Sequence, residues 1–361
     1  MNDIDAALFG VDSVPGIQVG GRTFVLGRDC VFGAAEGVAW KAVRRAPRLS
    51  SAVRAFRPDL VIAHHLPNAW RVARLVERCG VPLAAFCHGS DLLAMHGSLR
   101  PRSRALRQLA ANWPRLVEAV ELFLPVSQFL GRRLAENGVP TSRIAVHYLG
   151  VPIPESADLG SAAERSGVLF VGRLVDNKGC DFLLRAVGEI ARERRIEVTV
   201  VGDGPQRQAL QHLAATLPAG ATVRFLGSQP HDSVYRLMRE HRVLCVPSVE
   251  ARSGASEGLG LVACEAAAHA RPVVVYDTGG LQETVVHGET GLVVPQRDVP
   301  ELARALGSVL VDDSMATDMG RAARLFAEEK FNLSTQARRL RGLLAERGLL
   351  APQCEPERRL G

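Results

Sequence analysis

The sequence predicts an α/β fold in which two doubly wound, parallel-sheet domains face each other across a cleft. The chain has 361 residues, and at about 100 to 200 residues per domain this length predicts two domains. Short apolar runs alternate with longer amphipathic stretches, a pattern typical of βα units in a parallel sheet. The alternation stops near 150–166, where Pro and Ser occur without periodicity, and then restarts, so we place the domain boundary there.

Each domain is predicted from its own series of apolar runs. In the first domain, residues 1–150, the predicted strands are at 21–27, 59–64, 82–87, 122–126 and 144–148. In the second domain, residues 151–333, they lie near 168–171, 196–201, 222–226, 243–246, 272–275 and 292–294. Residues 334–361 are predicted to form an Arg-rich helix over 334–349 and a disordered tail from 351.

Composition excludes several classes of protein. Hydrophobic residues make up 47% and charged residues 23% of the chain, which is typical of globular domains and not of disordered or fibrous chains. No apolar run approaches the ~18 residues of a membrane span, and the opening residues lack the basic and apolar parts of a secretory signal. We therefore expect a cytoplasmic protein, in which seven scattered cysteines are reduced packing residues and not disulfides or zinc ligands.

The charge is divided unevenly along the chain. Residues 1–150 carry 19 basic and 11 acidic side chains, a net +8, whereas the remainder carries a net −2. The first half is therefore predicted to meet an anionic partner, either nucleic acid, a phosphorylated substrate or a membrane surface. Nucleic acid is the least favoured of the three, because aromatic residues are only 5% and no nucleic-acid-binding motif is present.

The densest group of candidate site residues is P-S-V-E-A-R-S-G-A-S-E-G-L-G-L-V-A-C-E-A, residues 247–266, between a predicted strand and a predicted helix. The helix is expected to begin near Leu259, and its unpaired N–H groups would attract an anion. Glu257 in the loop and Glu265 one turn into the helix could both face the hydroxyls of one ligand. The alternative is a glycine-rich turn followed by a helix-favouring Glu.

Two further groups follow predicted strands. In V-G-R-L-V-D-N-K-G, residues 171–179, Arg173 and Lys178 could clamp a diphosphate, or they could simply be solvated. In H-G-S-D, His88 follows the strand at 82–87, so the imidazole would face the cleft and could hydrogen-bond a sugar hydroxyl. The alternative there is a turn in which Asp91 caps the next helix.

Taken together, these motifs resemble the retaining glycosyltransferases of family 4, which have the GT-B fold of two Rossmann-like domains. The family's order and spacing are followed by G-R-L-x-x-x-K-G, V-G-D-G-P, E-G-L-G-L-x-x-x-E-A, G-G-L-Q-E-T-V and G-E-T-G-L-V-V-P. The resemblance covers roughly 55–345 and is strongest over 168–297. Within the family, P-S-V-E-A-R-S-G-A-S-E-G and L-P-V-S-Q-F-L are most similar to colanic-acid-type and other surface-polysaccharide transferases.

The resemblance implies an activity and a set of roles. The enzyme would be a hexosyltransferase that moves a sugar from a UDP- or GDP-sugar to a saccharide or lipid-linked acceptor, with no metal or cofactor. Glu257 would hold the donor sugar's hydroxyls, Glu265 the ribose, and His88 the transferred sugar. Arg173 and Lys178 would hold the diphosphate. The backbone of Gly258, Leu259, Gly260 and Leu261 would line the sugar and phosphate pocket, and Gly172 is a further implied donor-binding residue.

Two other hypotheses stay open at this point. A nucleotide-sugar epimerase shares the two-domain architecture, although the basic pair with E-x7-E disfavours it. A degenerate transferase would act only as a nucleotide-sugar-binding subunit. The second hypothesis is motivated by the N-terminus, because the family's H-G-x-D motif usually lies well beyond position 100 and here follows at 88. One βα unit takes about 30 residues, so we expect the sequence to start inside its first domain, with 1–20 irregular and the first βα unit missing.

A peripheral membrane contact is also predicted. Leu106, Leu109, Trp113 and Leu116 would form an apolar face that dips between lipid headgroups, beside four arginines that attract anionic lipid. The alternative is a solvated helix over an ordinary core. The four arginines are Arg100, Arg102, Arg104 and Arg107.

Overall fold

The computed structural model describes residues 6–10, 22–25, 39–40, 46–89, 92, 104–155, 165–251 and 254–350. Within them the strands are β1 (Ala7–Gly10), β2 (Arg22–Val25), β3 (Val61–His64), β4 (Leu83–Cys87), β5 (Leu122–Pro125), β6 (Ser166–Val171), β7 (Ile196–Val201), β8 (Ala221–Gly227), β9 (His241–Val246), β10 (Val273–Tyr276) and β11 (Gly291–Val294). Every pair of these strands runs parallel.

Twelve α-helices lie in the same residues and cover the sheets. They are α1 (Pro47–Phe56), α2 (Leu66–Cys79), α3 (Arg104–Ala111), α4 (Trp113–Ala119), α5 (Gln128–Glu136), α6 (Cys180–Ile190), α7 (Arg207–Ala215), α8 (His231–Glu240), α9 (Leu261–Ala268), α10 (Val299–Val311), α11 (Asp313–Lys330) and α12 (Leu333–Glu346). Several begin where the sequence supplies a side-chain cap; Asp298 accepts from the Glu301 N–H and Asn332 from the Thr335 N–H.

The larger sheet has six strands in the order β11-β10-β9-β6-β7-β8. Side chains alternate between its faces, so that Val168 and Phe170 of β6 enter one core and Leu169 enters the other. Helices cover both faces, which makes this a doubly wound domain. The order of strands reverses between β6 and β9, and such a switch point leaves a crevice at the carboxyl edge of a sheet.

The N-terminal half contains a three-stranded sheet in the order β3-β4-β5. β4 is buried along its whole length, as expected for the middle strand of a covered sheet. The strand predicted at 144–148 is wrong: only Ile144 makes a bridge, to Phe123. The following residues pair too briefly to form a ladder, although His147 N–H donates to the carbonyl of Pro125.

The beginning of the chain also differs from the expectation. Ala7–Gly10 forms a strand that pairs in parallel with Arg22–Val25, so residues 1–20 are not wholly irregular. These two strands form a separate two-stranded sheet and do not pair with β3 in the described residues. The strand predicted at 21–27 is confirmed. Phe9 and Phe24 are paired in the register of these two strands, and their ring centroids lie 6.3 Å apart.

The apolar face predicted to enter a membrane is instead part of the core. Leu109 and Leu116 are fully buried, and Trp113 is 8% exposed and donates its indole N–H to the carbonyl of Asn137 at 2.7 Å. Because α3 and α4 pack these side chains against the N-terminal sheet, the prediction of apolar insertion is wrong. Arg104 and Arg107 lie on the exposed side of α3, whereas Arg100 and Arg102 lie outside the described residues.

The last two helices connect the two halves of the molecule. α11 and α12 extend from the six-stranded domain onto the N-terminal core, where Phe331 and Leu344 are buried. Val151 and Asn332 form a bridge at this crossing, which keeps the connection near 150 beside the start of α12. The predicted tail, 351–361, lies outside the described residues. In the described part of the chain no helix is long and apolar enough to cross a bilayer.

Candidate active site

The switch point brings two motif loops together. Loop A, residues 172–179, follows β6, and loop B, residues 247–260, follows β9. A Cβ placed on Gly179, whose φ is +65°, would lie 1.9 Å from the carbonyl oxygen of Pro247. The two loops are therefore in direct backbone contact, which only a glycine at this position permits.

Lys178 and Glu257 form an ion pair at the centre of this contact. The Lys178 ammonium lies 2.5 Å from Glu257 Oε2, and the Ser248 hydroxyl donates to the same oxygen at 3.1 Å. The side chains are 28% and 15% exposed, so the pair is partly shielded but still open to a ligand. Sequence reasoning selected Lys178 and Glu257 separately. It missed Ser248, which belongs to the same P-S-V-E-A-R-S-G-A-S-E-G segment as Glu257.

Loop C, residues 202–204, packs against loop A. A Cβ on Gly202, whose φ is +129°, would lie 1.9 Å from the carbonyl oxygen of Gly172. The V-G-D-G-P motif, which indicates no function by itself, thus packs against Gly172 of loop A. Arg173 follows Gly172 and is exposed at the edge of the sheet.

The helix after loop B begins two residues later than predicted. α9 begins at Leu261, and Gly260 precedes it with a φ of +89°. Leu259 is buried in the N-terminal core and is 3% exposed, while the Leu261 side chain is 39% exposed. The backbone of Gly258 to Leu261 therefore passes between the two halves of the molecule.

The two glutamates of E-x7-E have different surroundings. Glu257 contacts loop A, whereas Glu265, the fifth residue of α9, faces α8. Burial raises the pKa of Glu265, and the nearby His231 opposes this effect. Burial also raises the pKa of Tyr235, with the Glu265 charge adding to it. Such separate environments suit two carboxylates that bind different parts of one ligand.

The N-terminal half reaches the site through His88 and Gly89. A Cβ on Gly258 would lie 2.1 Å from the His88 carbonyl oxygen, and one on Gly89 would lie 3.1 Å from the Gly258 Cα. The main chain of His88, at the carboxyl end of β4, therefore lies against loop B. Ser90 and Asp91, and with them the predicted helix cap, lie outside the described residues.

Two histidines that sequence reasoning missed surround His88. His64 Nδ1 lies 3.2 Å from His88 Nε2, and the His65 ring lies 4.4 Å from the His88 ring between centroids. Burial, with the neighbouring His65 charge, lowers the pKa of His64. His65 has a φ of +68°, which costs energy for any residue but glycine. The H-H pair at the end of the predicted 59–64 strand, where His64 is the last strand residue and His65 follows it, was the available signal.

The charged groups that can meet an anion at the crevice are side chains and a helix end. The described residues contain no group of three or more His, Cys, Asp or Glu side chains that could hold a metal ion. The positive groups near the crevice are instead Arg173, Lys178 and the N-terminus of α9, which together can bind an anion.

Family models match both halves of the chain. The model of glycosyl transferases group 1 matches residues 154–326, and the model of Glycosyltransferase Family 4 matches residues 21–154. A crystal structure of Anabaena HepE in complex with UDP and glucose superposes with a TM-score of 0.71 at 21% identity, covering 90% of this chain and 86% of that chain. The two parallel-sheet halves thus have the GT-B fold of glycosyltransferases.

Curated relatives include enzymes named for surface polysaccharides and glycolipids. The amylovoran biosynthesis glycosyltransferase of Erwinia amylovora is 27% identical over 260 residues, which are 71% of this chain and 64% of that protein. The putative colanic acid biosynthesis glycosyltransferase of Escherichia coli is 28% identical over 80% of this chain and 71% of its own. The GDP-mannose-dependent α-(1-6)-phosphatidylinositol monomannoside mannosyltransferase of Mycobacterium tuberculosis is 30% identical over 79% and 77%.

These matches establish the family. The chain belongs to glycosyltransferase family 4, as the order of its motifs predicted. The predicted likeness to colanic-acid-type and other surface-polysaccharide transferases is confirmed by the relatives. The chain spans slightly less than two thirds of the length of the Erwinia relative.

Proposed function

We propose that this chain is a retaining hexosyltransferase that moves a sugar from a UDP- or GDP-sugar to a saccharide or lipid-linked saccharide, in polysaccharide or glycolipid biosynthesis. The observation that carries this proposal is the meeting of loops A and B at the switch point, with the Lys178–Glu257 pair between them. The carbonyl of His88 lies against the same loop from the other half. The names of the relatives support a nucleotide-sugar donor.

The cationic side chains would hold the diphosphate. A diphosphate entering the crevice would compete with Glu257 for the Lys178 ammonium, and Arg173 offers a second, forked set of donors. Once Lys178 turns to the phosphate, the Glu257 oxygens can accept hydrogen bonds from the hydroxyls of the donor sugar. Glu265 would bind the ribose from its half-buried position beside α8.

The proposed reaction is a front-face transfer. The acceptor oxygen forms a bond to the anomeric carbon on the side from which the phosphate departs, the bond from that carbon to the phosphate oxygen breaks, and the acceptor proton moves to the departing phosphate. No enzyme nucleophile is needed, so that retention of configuration depends on the positions of donor and acceptor. Cationic donors around the leaving phosphate stabilise its developing charge, and positioning supplies much of the remaining acceleration.

A donor screen tests this proposal. Purified protein is mixed with UDP- and GDP-sugars and with saccharide acceptors, and release of UDP or GDP is measured. Acceptor-dependent release supports the transferase. Conversion of a UDP-sugar to its epimer without acceptor would favour the epimerase, and nucleotide binding without turnover would favour the degenerate subunit.

Two isosteric variants test the separate roles of the carboxylates. We expect Glu257→Gln to abolish transfer while largely sparing UDP or GDP binding in calorimetry, and Glu265→Gln to weaken nucleotide binding. Glu193→Gln, at an exposed turn after α6, is the control. Equal loss of nucleotide affinity in both site variants would contradict the assignment of separate roles.

Of the predicted membrane contact, we propose only the electrostatic part and not the apolar insertion. We propose that the protein acts in the cytoplasm, at the inner face of the membrane, and that contact with anionic lipid is electrostatic. The reason is that the apolar side chains of α3 and α4 are used by the core, whereas Arg104 and Arg107 point outward. Each basic side chain near an anionic surface contributes about 1 kcal/mol.

A further inference from the structure

The segment from Gly279 to Glu283 lies between the two halves of the molecule. It contains the G-G-L-Q-E motif, which follows β10 and ends in a short 3-10 turn, Leu281–Thr284. A Cβ on Gly280 would lie 2.1 Å from the Gly258 carbonyl oxygen and 2.7 Å from the Ser127 hydroxyl. One residue thus touches both halves of the molecule: loop B, and the start of α5 in the N-terminal half. Loop B belongs to the second domain, residues 151–333, which is called the donor half because the donor is proposed to bind there.

Glu283 binds the N-terminal half with both carboxylate oxygens. Oε2 accepts from the Gln128 N–H and Oε1 from the Phe129 N–H, each at 2.8 Å. These two N–H groups open α5 and have no partner within the helix. The Tyr148 hydroxyl donates to Oε2 at 2.8 Å. Glu283 therefore receives three hydrogen bonds from residues that are 135 to 155 positions away.

A residue of the donor half binds the main chain of Glu283. The Lys330 ammonium at the end of α11 donates to the Glu283 carbonyl at 2.9 Å. The same ammonium lies 4.7 Å from the centroid of the Tyr148 ring, which is a cation–π distance. Burial lowers the pKa of Lys330, and the Glu283 charge opposes this effect. The contact is thus a charged, partly buried cluster that joins α5, Tyr148 and α11.

A backbone hydrogen bond links this cluster to the candidate site. The Gly280 N–H donates to the Glu257 carbonyl at 2.9 Å. Glu257 is the carboxylate that pairs with Lys178. A change in the docking of Glu283 on α5 would therefore move the main chain that carries Glu257.

We propose that Glu283 is a positioning residue, which clamps the N-terminal half onto the donor half and, through the Gly280–Glu257 hydrogen bond, sets Glu257 relative to the acceptor side. The proposal rests on the proposed transferase function for its kinetic consequence, but the clamp itself is a physical contact that can be measured without turnover. Glu283 touches neither donor nor acceptor in this scheme, and it acts through Glu257.

Glu283→Gln tests the clamp with little change of shape. The glutamine has a single acceptor oxygen, and its NH2 group would face one of the two α5 N–H groups. Because hydrogen bonds to a charged acceptor are about twice as strong as neutral ones, we expect the rate of transfer at saturating donor to fall at least about tenfold. The dissociation constant of UDP or GDP alone should stay within about twofold, since the residues proposed to bind the nucleotide are others.

Hydrogen exchange supplies a readout that does not depend on activity. Peptides covering the start of α5 should exchange faster in Glu283→Gln than in the wild-type chain, because the Gln128 and Phe129 amides lose an acceptor. Tyr148→Phe removes one donor and leaves those amides bonded, so we expect a smaller loss of rate and little change of exchange. Glu289→Gln, exposed six residues further on, is the matched control and should resemble the wild type in both.

The outcomes separate the clamp from the transferase. If the wild-type chain transfers no sugar from any donor, the proposed function fails, and the exchange experiment still tests the clamp. Unchanged exchange at the start of α5 in Glu283→Gln would overturn the clamp, whatever the activity. A Glu283→Gln rate within twofold of the wild type, or a nucleotide affinity that falls as much as the rate, would overturn the positioning role. If Glu283→Gln does not fold, Tyr148→Phe with a wild-type rate would count against the proposal.

Discussion

Gly258→Ala places a methyl group where the two halves of the molecule meet. Gly258 is buried, and a Cβ at this position would lie 2.1 Å from the His88 carbonyl oxygen and 2.9 Å from the His88 carbonyl carbon. Side-chain carbons essentially never approach another heavy atom within 3.0 Å. The His88 segment and loop B must therefore separate by roughly 1 Å, or loop B must shift by that distance within its own domain.

The size of the effect follows from that displacement. A misplacement of about 1 Å at a reacting centre can cost about a hundredfold in rate, and we expect a loss of this order in transfer by Gly258→Ala. The proposed nucleotide contacts lie within the donor half, so the dissociation constant of the nucleotide should change by no more than about threefold. Overpacking inside one domain would instead cost about 1–3 kcal/mol of stability, which thermal unfolding would detect.

A matched control comes from α10. A Cβ on Gly307 would meet nothing within 4 Å, and replacing glycine by alanine within a helix gains roughly 0.5–1 kcal/mol. Gly307→Ala should therefore keep full activity and unfold at a slightly higher temperature. The assay is nucleotide release with acceptor present, together with calorimetry on UDP or GDP. A Gly258→Ala enzyme with the rate of Gly307→Ala would refute the reasoning.

Three other predictions concern solution conditions and surfaces. Transfer should persist in EDTA, because cationic side chains are proposed to neutralise the diphosphate; a strict need for a divalent ion in the chemical step would contradict this. Burial, with the Arg339 charge, lowers the pKa of His147 from 6.5 to about 4. Between these pH values the unfolded chain binds a proton at His147 that the folded chain does not. The free energy of unfolding therefore falls as the pH drops through this range. Denaturant unfolding measures the free energy of unfolding that is lost between pH 7.5 and 4.5, and His147→Phe should reduce this loss by up to about 3 kcal/mol. An unchanged pH dependence in the variant would count against His147 as its source. Co-sedimentation with anionic liposomes should weaken when the four arginines are replaced by glutamine and at high salt, and an unaffected co-sedimentation would favour a solvated helix. The arginines are Arg100, Arg102, Arg104 and Arg107.

Much of the donor half was predictable because its signals are local. All six strands predicted there are present in the structure, since each is a compact apolar run between turn residues. The N-terminal half was less predictable. The run at 144–148 is as apolar as a strand, but it makes a single bridge, from Ile144 to Phe123. Two backbone hydrogen bonds, from Ala145 and His147 to the same neighbouring strand, do not extend that bridge into a ladder. The strand Ala7–Gly10 is short, and its parallel partner begins twelve residues later, so pattern alone did not reveal it.

The candidate site shows the same division at the level of single residues. Glu257, Lys178 and His88 could be selected from the sequence because each follows a predicted strand in a glycine-containing loop. The contact between Lys178 and Glu257 joins residues 79 positions apart, and no local pattern fixes it. It exists because β6 and β9 are neighbours in the sheet.

The sequence by itself determined the α/β class, the motif loops and the family, because apolar periodicity, glycine turns and motif order are properties of short segments. The tertiary structure alone decided which loops meet and which faces are covered. The switch point results from the order of the strands in the sheet. The apolar side of α3, which the sequence pattern had assigned to a membrane, is buried in the core. Glu283 binds the first N–H groups of α5. The physical reason is that a charge or an apolar face is satisfied by whatever the fold brings against it, and that neighbour is set by long-range strand order and packing.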